Sequence, residues 1–224
     1  ITMVSSLSHE DALNLIEKHF GMWNGEKPEN IEIIKEKNKK VTEINYKKDI
    51  EQSTIVYLYT FYDLNKEDEL PLRILNHRLG ESSNSLLFRE VREKRGLAYD
   101  IYTHLEITNN IKTLYIYTAV GEENINEAKD SIDETLENIV QGKIVIGERD
   151  LEIMKKVHKT AVISTLEDSS ELCNYMLHQA LEDEDIYEFL KDMDRLNTLN
   201  MDKINKISRK VLKDPTIHIL KSGN

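Results

Sequence analysis

The chain has 224 residues and a mass of 26.1 kDa, enough for one large domain or two small ones with a buried core. Its 30 Lys/Arg against 41 Asp/Glu leave a formal charge of −11, which argues against a general binder of nucleic acid or anionic membrane, because phosphates require clustered cations. Hydrophobic residues at 39%, charged residues at 32% and only 3 prolines describe a charge-rich globular chain, and the single cysteine, Cys173, excludes a disulfide framework, a multi-cysteine zinc ribbon or an iron–sulfur site.

A lone cysteine suits a reducing compartment, so the expected location is cytoplasmic. No window approaches roughly 18 consecutive apolar residues, and Ile1 to Val4 is too short for a signal-peptide core. The chain starts on Ile1 rather than Met, and is expected to be a piece of a longer polypeptide.

Ile1 to Val4 reads as a short strand, followed by a Ser5-Ser6 turn and a helix capped by Ser8, with acids in its first turn and Gly21 as its stop. From Gly25 to Lys40 the composition shifts to Glu-Lys-Pro-Glu-Asn and then to Lys35, Lys37, Lys39 and Lys40 interleaved with acids, the pattern of a solvated linker. Residues 41–46 and 53–62 are rich in β-branched and aromatic residues and read as strands; the second, apolar on both faces, is expected in the middle of a sheet. A helix is predicted over 67–79, a polar loop over 80–84, and a further helix capped by Ser85 with Phe88 and Arg92 at i, i+4. Gly96 ends that helix, and Lys94 and Arg95 are placed to meet its last carbonyls.

Alternation then puts Tyr99, Ile101, Thr103 and Leu105 on one strand face, Asn109-Asn110 in a turn and residues 113–120 in a second strand, a hairpin. Gly121 leads into an amphipathic helix carrying Ile125, Ala128, Ile132, Leu136 and Ile139, stopped by Gly142. Helices are predicted from Glu148, from Ser169 to Ala180, over 184–192 and over 201–212, and Pro215 precedes a last strand, Thr216 to Leu220. This order predicts an α+β fold with a mainly antiparallel sheet covered by helices.

Most candidate chemistry is weak. No two of the seven histidines stand at i, i+4 around a glutamate; His9-Glu10 starts such a motif, but Leu13 occupies the second ligand position. Cys173 and His178 are five apart and do not share a helix face, no glycine loop could cradle a phosphate, and Glu182 to Asp185 read as a solvated helix junction. The strand tyrosines at 57, 59, 62, 99, 102, 115 and 117 read by default as packing.

The stretch Leu87-Phe88-Arg89-Glu90-Val91-Arg92-Glu93-Lys94-Arg95-Gly96-Leu97-Ala98-Tyr99 is different. Arg92 falls in the last helical turn, Tyr99 opens the next strand, and the glycine reversal lets a guanidinium and a phenol converge at the sheet edge. Together they suit holding a peptide carbonyl or stabilising an oxyanion. Chemistry alone leaves a rival, since Arg89, Glu90, Arg92, Glu93, Lys94 and Arg95 also fit an exposed i, i+4 salt-bridge face.

Leu79-Gly80 followed by Ser85 through Tyr99 resembles the signature of the C-terminal half of pitrilysin/insulinase-type zinc metallopeptidases, nearest to the branch of mitochondrial processing peptidase and its bacterial relatives. The resemblance covers nearly the whole chain: Ile1 to Phe20 is similar to the last strand and helix of a preceding half, Gln52-Ser53 to the start of this half's first strand, and Asp202 through Thr216 to the family's ending. It implies that residues 1–24 end the N-terminal half, 25–40 are a linker and 41–224 are the C-terminal domain.

In that family two α+β halves enclose a chamber, and zinc is held by an inverted His-x-x-Glu-His motif with a downstream Glu in the N-terminal half. This chain contains no such motif, so zinc is expected in the full-length parent, bound outside these residues. The resemblance assigns Arg92 and Tyr99 to binding and orienting the substrate peptide. Glu81 and Ser82 stand where glycines are common, and Leu86 where an arginine often stands.

The implied function is the zinc-free substrate-binding half of a zinc-dependent endopeptidase acting on oligopeptides or small unfolded precursors, partnered by its own N-terminal half and forming a homo- or heterodimer. The alternative is a non-catalytic partner or scaffold subunit of a heterodimeric peptidase of the same family. A third, an unrelated α+β binding domain, requires the motif match to be chance.

Overall fold

The computed structural model describes residues 1–25, 33–108, 110–144 and 147–222. These fall into two compact units, one made of residues 1–34 with 158–193, the other of 35–157 with 194–224, each taken over its described residues.

The larger unit is built on a five-stranded sheet in the order β1-β5-β2-β4-β3, with β1 Val41–Lys47, β2 Ser53–Thr60, β3 Ala98–Ile107, β4 Lys112–Val120 and β5 Thr216–Ser222. The pairings β2/β5, β2/β4 and β3/β4 are antiparallel and β1/β5 is parallel, so the fold is α+β with a mainly antiparallel sheet. β2 is central, as its apolar run predicts, and its burial alternates strictly between buried and half-buried residues. One face therefore belongs to the core and the other does not.

The core face is covered by α2 (Lys66–Asn76) and α3 (Ile125–Val140), which lie on the strands, and by α7 (Met201–Val211), which packs on both of them. α3 turns Ile125, Ala128, Ile132, Leu136 and Ile139 inward, the stripe read from its 3.6-residue period. Tyr57, fully buried on β2, donates from its hydroxyl to the Asp133 carboxylate on α3 at 2.8 Å. Burial and then the Asp133 charge push the Tyr57 hydroxyl well above the ordinary tyrosine range; burial does the same to Tyr59.

Much of 25–40, the predicted linker, lies outside the described residues. Its described end is tied to the sheet: Asn38 and Thr60 exchange hydrogen bonds, and the Asn38 amide donates to the Asp214 carbonyl. Lys37 and Lys40 extend to Asp63 and Asp214, each at 3.2 Å and more than three-quarters exposed, worth little to stability.

The smaller unit holds α1 (His9–Phe20), the C-terminal part of α4 (Glu148–Glu167), α5 (Ser169–Leu181) and the first part of α6 (Glu188–Asn197). Ser8 caps α1 as predicted, accepting from the Asp11 N–H at 3.1 Å, and Gly21 closes it. Ile1 to Val4 form no strand, in contrast to the sequence expectation: no neighbouring strand pairs with them, and β propensity without a ladder leaves backbone groups unpaired. Residues 182–187 form the α5–α6 junction, with Asp183 at φ 55° and Asp185 accepting from the Tyr187 N–H and Lys191. Hydrogen bonds first from that N–H and then from Lys191 hold the Asp185 carboxyl below its usual range.

Candidate functional site

The site is assembled at the start of β3, an edge strand, by the segment leading into it. The predicted helix over 67–79 divides into α2, ending at Asn76, and a single π turn over His77–Glu81. Gly80 permits that turn to lie on the sheet: a Cβ there would come within 2.8 Å of the Thr103 backbone nitrogen on β3. Ser85 then starts the next helical piece as predicted, its hydroxyl accepting from the Phe88 N–H at 3.3 Å.

That piece widens into a second π turn, Phe88–Glu93, in which the Lys94 N–H reaches back five residues to the Arg89 carbonyl at 2.9 Å. Gly96, at φ 64°, reverses the chain, and the Leu97 N–H returns to the Val91 carbonyl at 3.1 Å. Lys94 and Arg95 do other work than the sequence predicts. Lys94 pairs with Glu90 at 2.6 Å, and Arg95 bonds Ser131 and lies 2.9 Å from Glu134, tying the turn to α3. Glu90 is the i, i+4 neighbour of Lys94 on the same turn, whereas the partners of Arg95 lie on α3 and meet it only once the turn is packed there.

The structure brings Arg92 and Tyr99 together. The Arg92 guanidinium carbon lies 4.9 Å from the Tyr99 ring centroid and 4.6 Å from that of Phe88, a cation between two aromatic faces. Each such contact is worth about 0.5–1 kcal/mol at an exposed site. A guanidinium held against two rings in this way retains its fork of N–H donors for a carbonyl or carboxylate. Tyr99 is 77% exposed, its hydroxyl accessible beside that cation.

One sequence expectation is corrected here. Alternation placed Tyr99 on the same face as Ile101 and Thr103, but those two are buried and Tyr99 is not. Ala98 pairs with Val120 and Asp100 with Ala119, so Tyr99 is an extra residue in the strand, a bulge that releases its side chain from the pleat. The sequence marks Phe88 only as the i, i+4 neighbour of Arg92; its ring is the second aromatic contact of the guanidinium.

A sequence profile for the Peptidase M16 inactive domain matches residues 1–157. The chain belongs to the Peptidase M16 inactive domain family. Among its curated relatives, the uncharacterized zinc protease YmxG of Bacillus subtilis is 27% identical over 201 residues, which cover 88% of this chain and 47% of that protein. The chain thus spans about half the length of that relative. Among solved structures, a protease from Helicobacter pylori matches with a TM-score of 0.84 at 20% identity, covering 97% of this chain and 54% of that one. The peptidase M16 inactive domain from Pseudomonas fluorescens matches with a TM-score of 0.74 at 17% identity, over 97% of this chain and 51% of that one. At these identities the structural likeness establishes the fold.

M16 relatives named as zinc proteases raise the question of whether this domain could hold zinc. Its residues do not fit the metal: among the described residues no group of three or more His, Cys, Asp or Glu side chains is placed to hold an ion. Cys173 has its thiol 3.1 Å from the Thr2 hydroxyl. In this M16 inactive domain the candidate chemistry is that of a cation and a phenol, not of a metal ligand set.

Proposed function

We propose that this chain is the substrate-binding, zinc-free half of a zinc-dependent endopeptidase that cleaves oligopeptides or small unfolded precursors. The observation that carries the reading is the stacking of Arg92 on Tyr99 at the start of an edge strand. A charged, planar donor fork beside an accessible hydroxyl suits a peptide carbonyl, and holds it more strongly as negative charge develops on its oxygen. Arg92 binds and polarises the carbonyl; Tyr99 donates from its hydroxyl and keeps the guanidinium aligned. Zinc belongs to the N-terminal half of the full-length parent, and the two halves together form the peptide chamber. The parent works in the cytoplasm as a homo- or heterodimer.

The test is zinc content together with hydrolysis of a quenched fluorescent peptide library by the full-length parent and its variants. Zinc and chelator-sensitive cleavage are expected in the parent. Arg92→Ala is expected to lower turnover roughly a hundredfold, the scale of losing one donor to a developing oxyanion, with zinc content unaltered. Loss of zinc in that variant would refute the substrate-side role. No zinc and no cleavage in the parent would favour the partner-subunit alternative, to be followed by a search for the zinc-bearing subunit.

A further inference from the structure

The helix layer of the larger unit does not reach one edge of its sheet. On β5, Ile217 and Ile219 are buried in the core, and the parallel register sets Thr42, Ile44 and Tyr46 of β1 on that same face, beside Ile217, Ile219 and Lys221. Yet Ile44 is 48% and Tyr46 68% exposed, and every residue of β1 is exposed. Among the described residues β1 pairs only with β5, so its other side presents N–H and C=O groups without a ladder partner. A strand with apolar side chains and an open edge is a template for another strand.

The residues of β1 indicate which strand. Glu43, Asn45 and Lys47 share its opposite face, in register with His218, Leu220 and Ser222. Glu43 and Lys47 stand four residues apart on one strand, about 13 Å, and cannot pair with each other. In antiparallel pairing with a second β1 about a two-fold axis normal to the sheet, opposed residues share a face, so the axis passes through a residue. With the axis at Asn45, Glu43 of each copy lies opposite Lys47 of the other, and Ile44 opposite Tyr46. Opposite charges, and an aromatic ring against a β-branched chain, are favourable cross-strand neighbours. An axis at Glu43 would oppose the two Glu43 carboxylates, and one at Ile44 would set Glu43 against Asn45 and Lys47 against Val41. An edge lysine ordinarily discourages pairing; here each meets a carboxylate.

We propose that β1 docks on β1 of a second copy of this chain, antiparallel about Asn45, joining the two sheets into one. This names the interface of the homodimer in the reading above and rests on that part of it, not on the cleavage chemistry. β1 and β3 are opposite edges of the sheet, four strand spacings or about 19 Å apart, so the pairing leaves Arg92 and Tyr99 open to a peptide.

The test is sedimentation equilibrium of the full-length parent. A reversible dimer is expected. Glu43→Lys or Lys47→Glu alone is expected to weaken it at least tenfold, because the two-fold axis repeats each like-charge contact. The combined swap, Glu43→Lys with Lys47→Glu, is expected to return the dissociation constant to within threefold of the parent's. Recovery by the swap separates pairing across the axis from damage to the fold, since within one copy the two residues are too far apart to compensate each other. A parent that is monomeric at every concentration, a dimer that the reversals leave intact, or a swap that fails to restore it overturns the proposal.

Cross-linking checks the register. On a background in which Cys173 and every other cysteine of the parent are replaced by serine, Asn45→Cys places two thiols at the axis with Cα atoms about 5 Å apart, within disulfide range. Val41→Cys places them eight residues apart, about 26 Å. Mild oxidation is expected to give a covalent dimer of the first protein and not of the second. No covalent dimer from Asn45→Cys, as when the other half of the parent already covers β1, overturns the proposal even if the charge variants unfold; equal yields from the two do so too. The two readings fail separately. Zinc-dependent cleavage by a monomeric parent removes this interface and leaves the peptidase standing; a β1 dimer without zinc or cleavage does the reverse.

Discussion

Tyr57 and Arg92 show how differently single side chains are used in the larger unit. Tyr57 is fully buried, and its one polar atom donates to Asp133, which is also held by Lys129. Replacing it by phenylalanine is expected to cost about 1 kcal/mol, the net worth of one such bond, measurable by urea denaturation. Its folded-state hydroxyl value is raised above the unfolded 10.0, so its contribution is complete below pH 10 and is lost as pH rises beyond that. Tyr57→Phe is therefore expected to flatten the alkaline limb of the stability profile, and an unchanged alkaline limb would refute the assignment. Arg92 instead contributes little to stability, because its ring contacts are half-exposed, and its replacement is expected to be read in turnover rather than in unfolding. The Arg92/Tyr99 pair was legible in the sequence because the six intervening residues contain a helix end and one glycine reversal. The ring of Phe88 completing the stack needed the geometry of the π turn.

At the scale of elements, the approach to β3 depends on two glycines for different reasons. Gly96 sits at φ 64° with open space where a Cβ would stand, so Gly96→Ala meets only the backbone penalty of a left-handed conformation, about 1 kcal/mol. Gly80 has ordinary dihedrals but lies against Thr103, and its alanine variant must displace backbone of β3. Gly80→Ala is expected to destabilise by about 1–3 kcal/mol and to reduce turnover as well, since β3 carries Tyr99. Thermal melts of the two variants, each with a peptide hydrolysis assay, check the order; a Gly80→Ala protein as stable and active as the parent would refute it. Helix starts at Ser8 and Ser85 and reversals at Gly96 and Gly142 follow the sequence reading, because caps and left-handed turns are decided by neighbouring residues. The strand expected over Ile1 to Val4 does not form, because a strand exists only with a partner, and its partner is not a local matter.

Across the whole molecule, burial is divided unequally. The fully buried hydrophobic residues, from Ile55 to Ile219, all belong to the larger unit; among the described residues of the smaller unit none is fully buried. Ile132 on α3, with no exposed surface, is expected to cost about 2–5 kcal/mol when replaced by alanine. Amide hydrogen exchange is expected to be slowest in β2, β4 and α3 and much faster in α1 and α5, because local opening there exposes no dry core. Equal protection in the two units would contradict this. The sequence by itself determined the α+β class, the family and the convergence of Arg92 with Tyr99, since periodicity, caps and a motif are written in residues close along the chain. Only the tertiary structure decided that Tyr99 leaves the pleat, that Tyr102, Tyr115 and Tyr117 share one face of the sheet, and that the dry core lies in one unit. Those outcomes follow from cross-strand register and packing between residues far apart in sequence, where no local pattern can specify which neighbours meet.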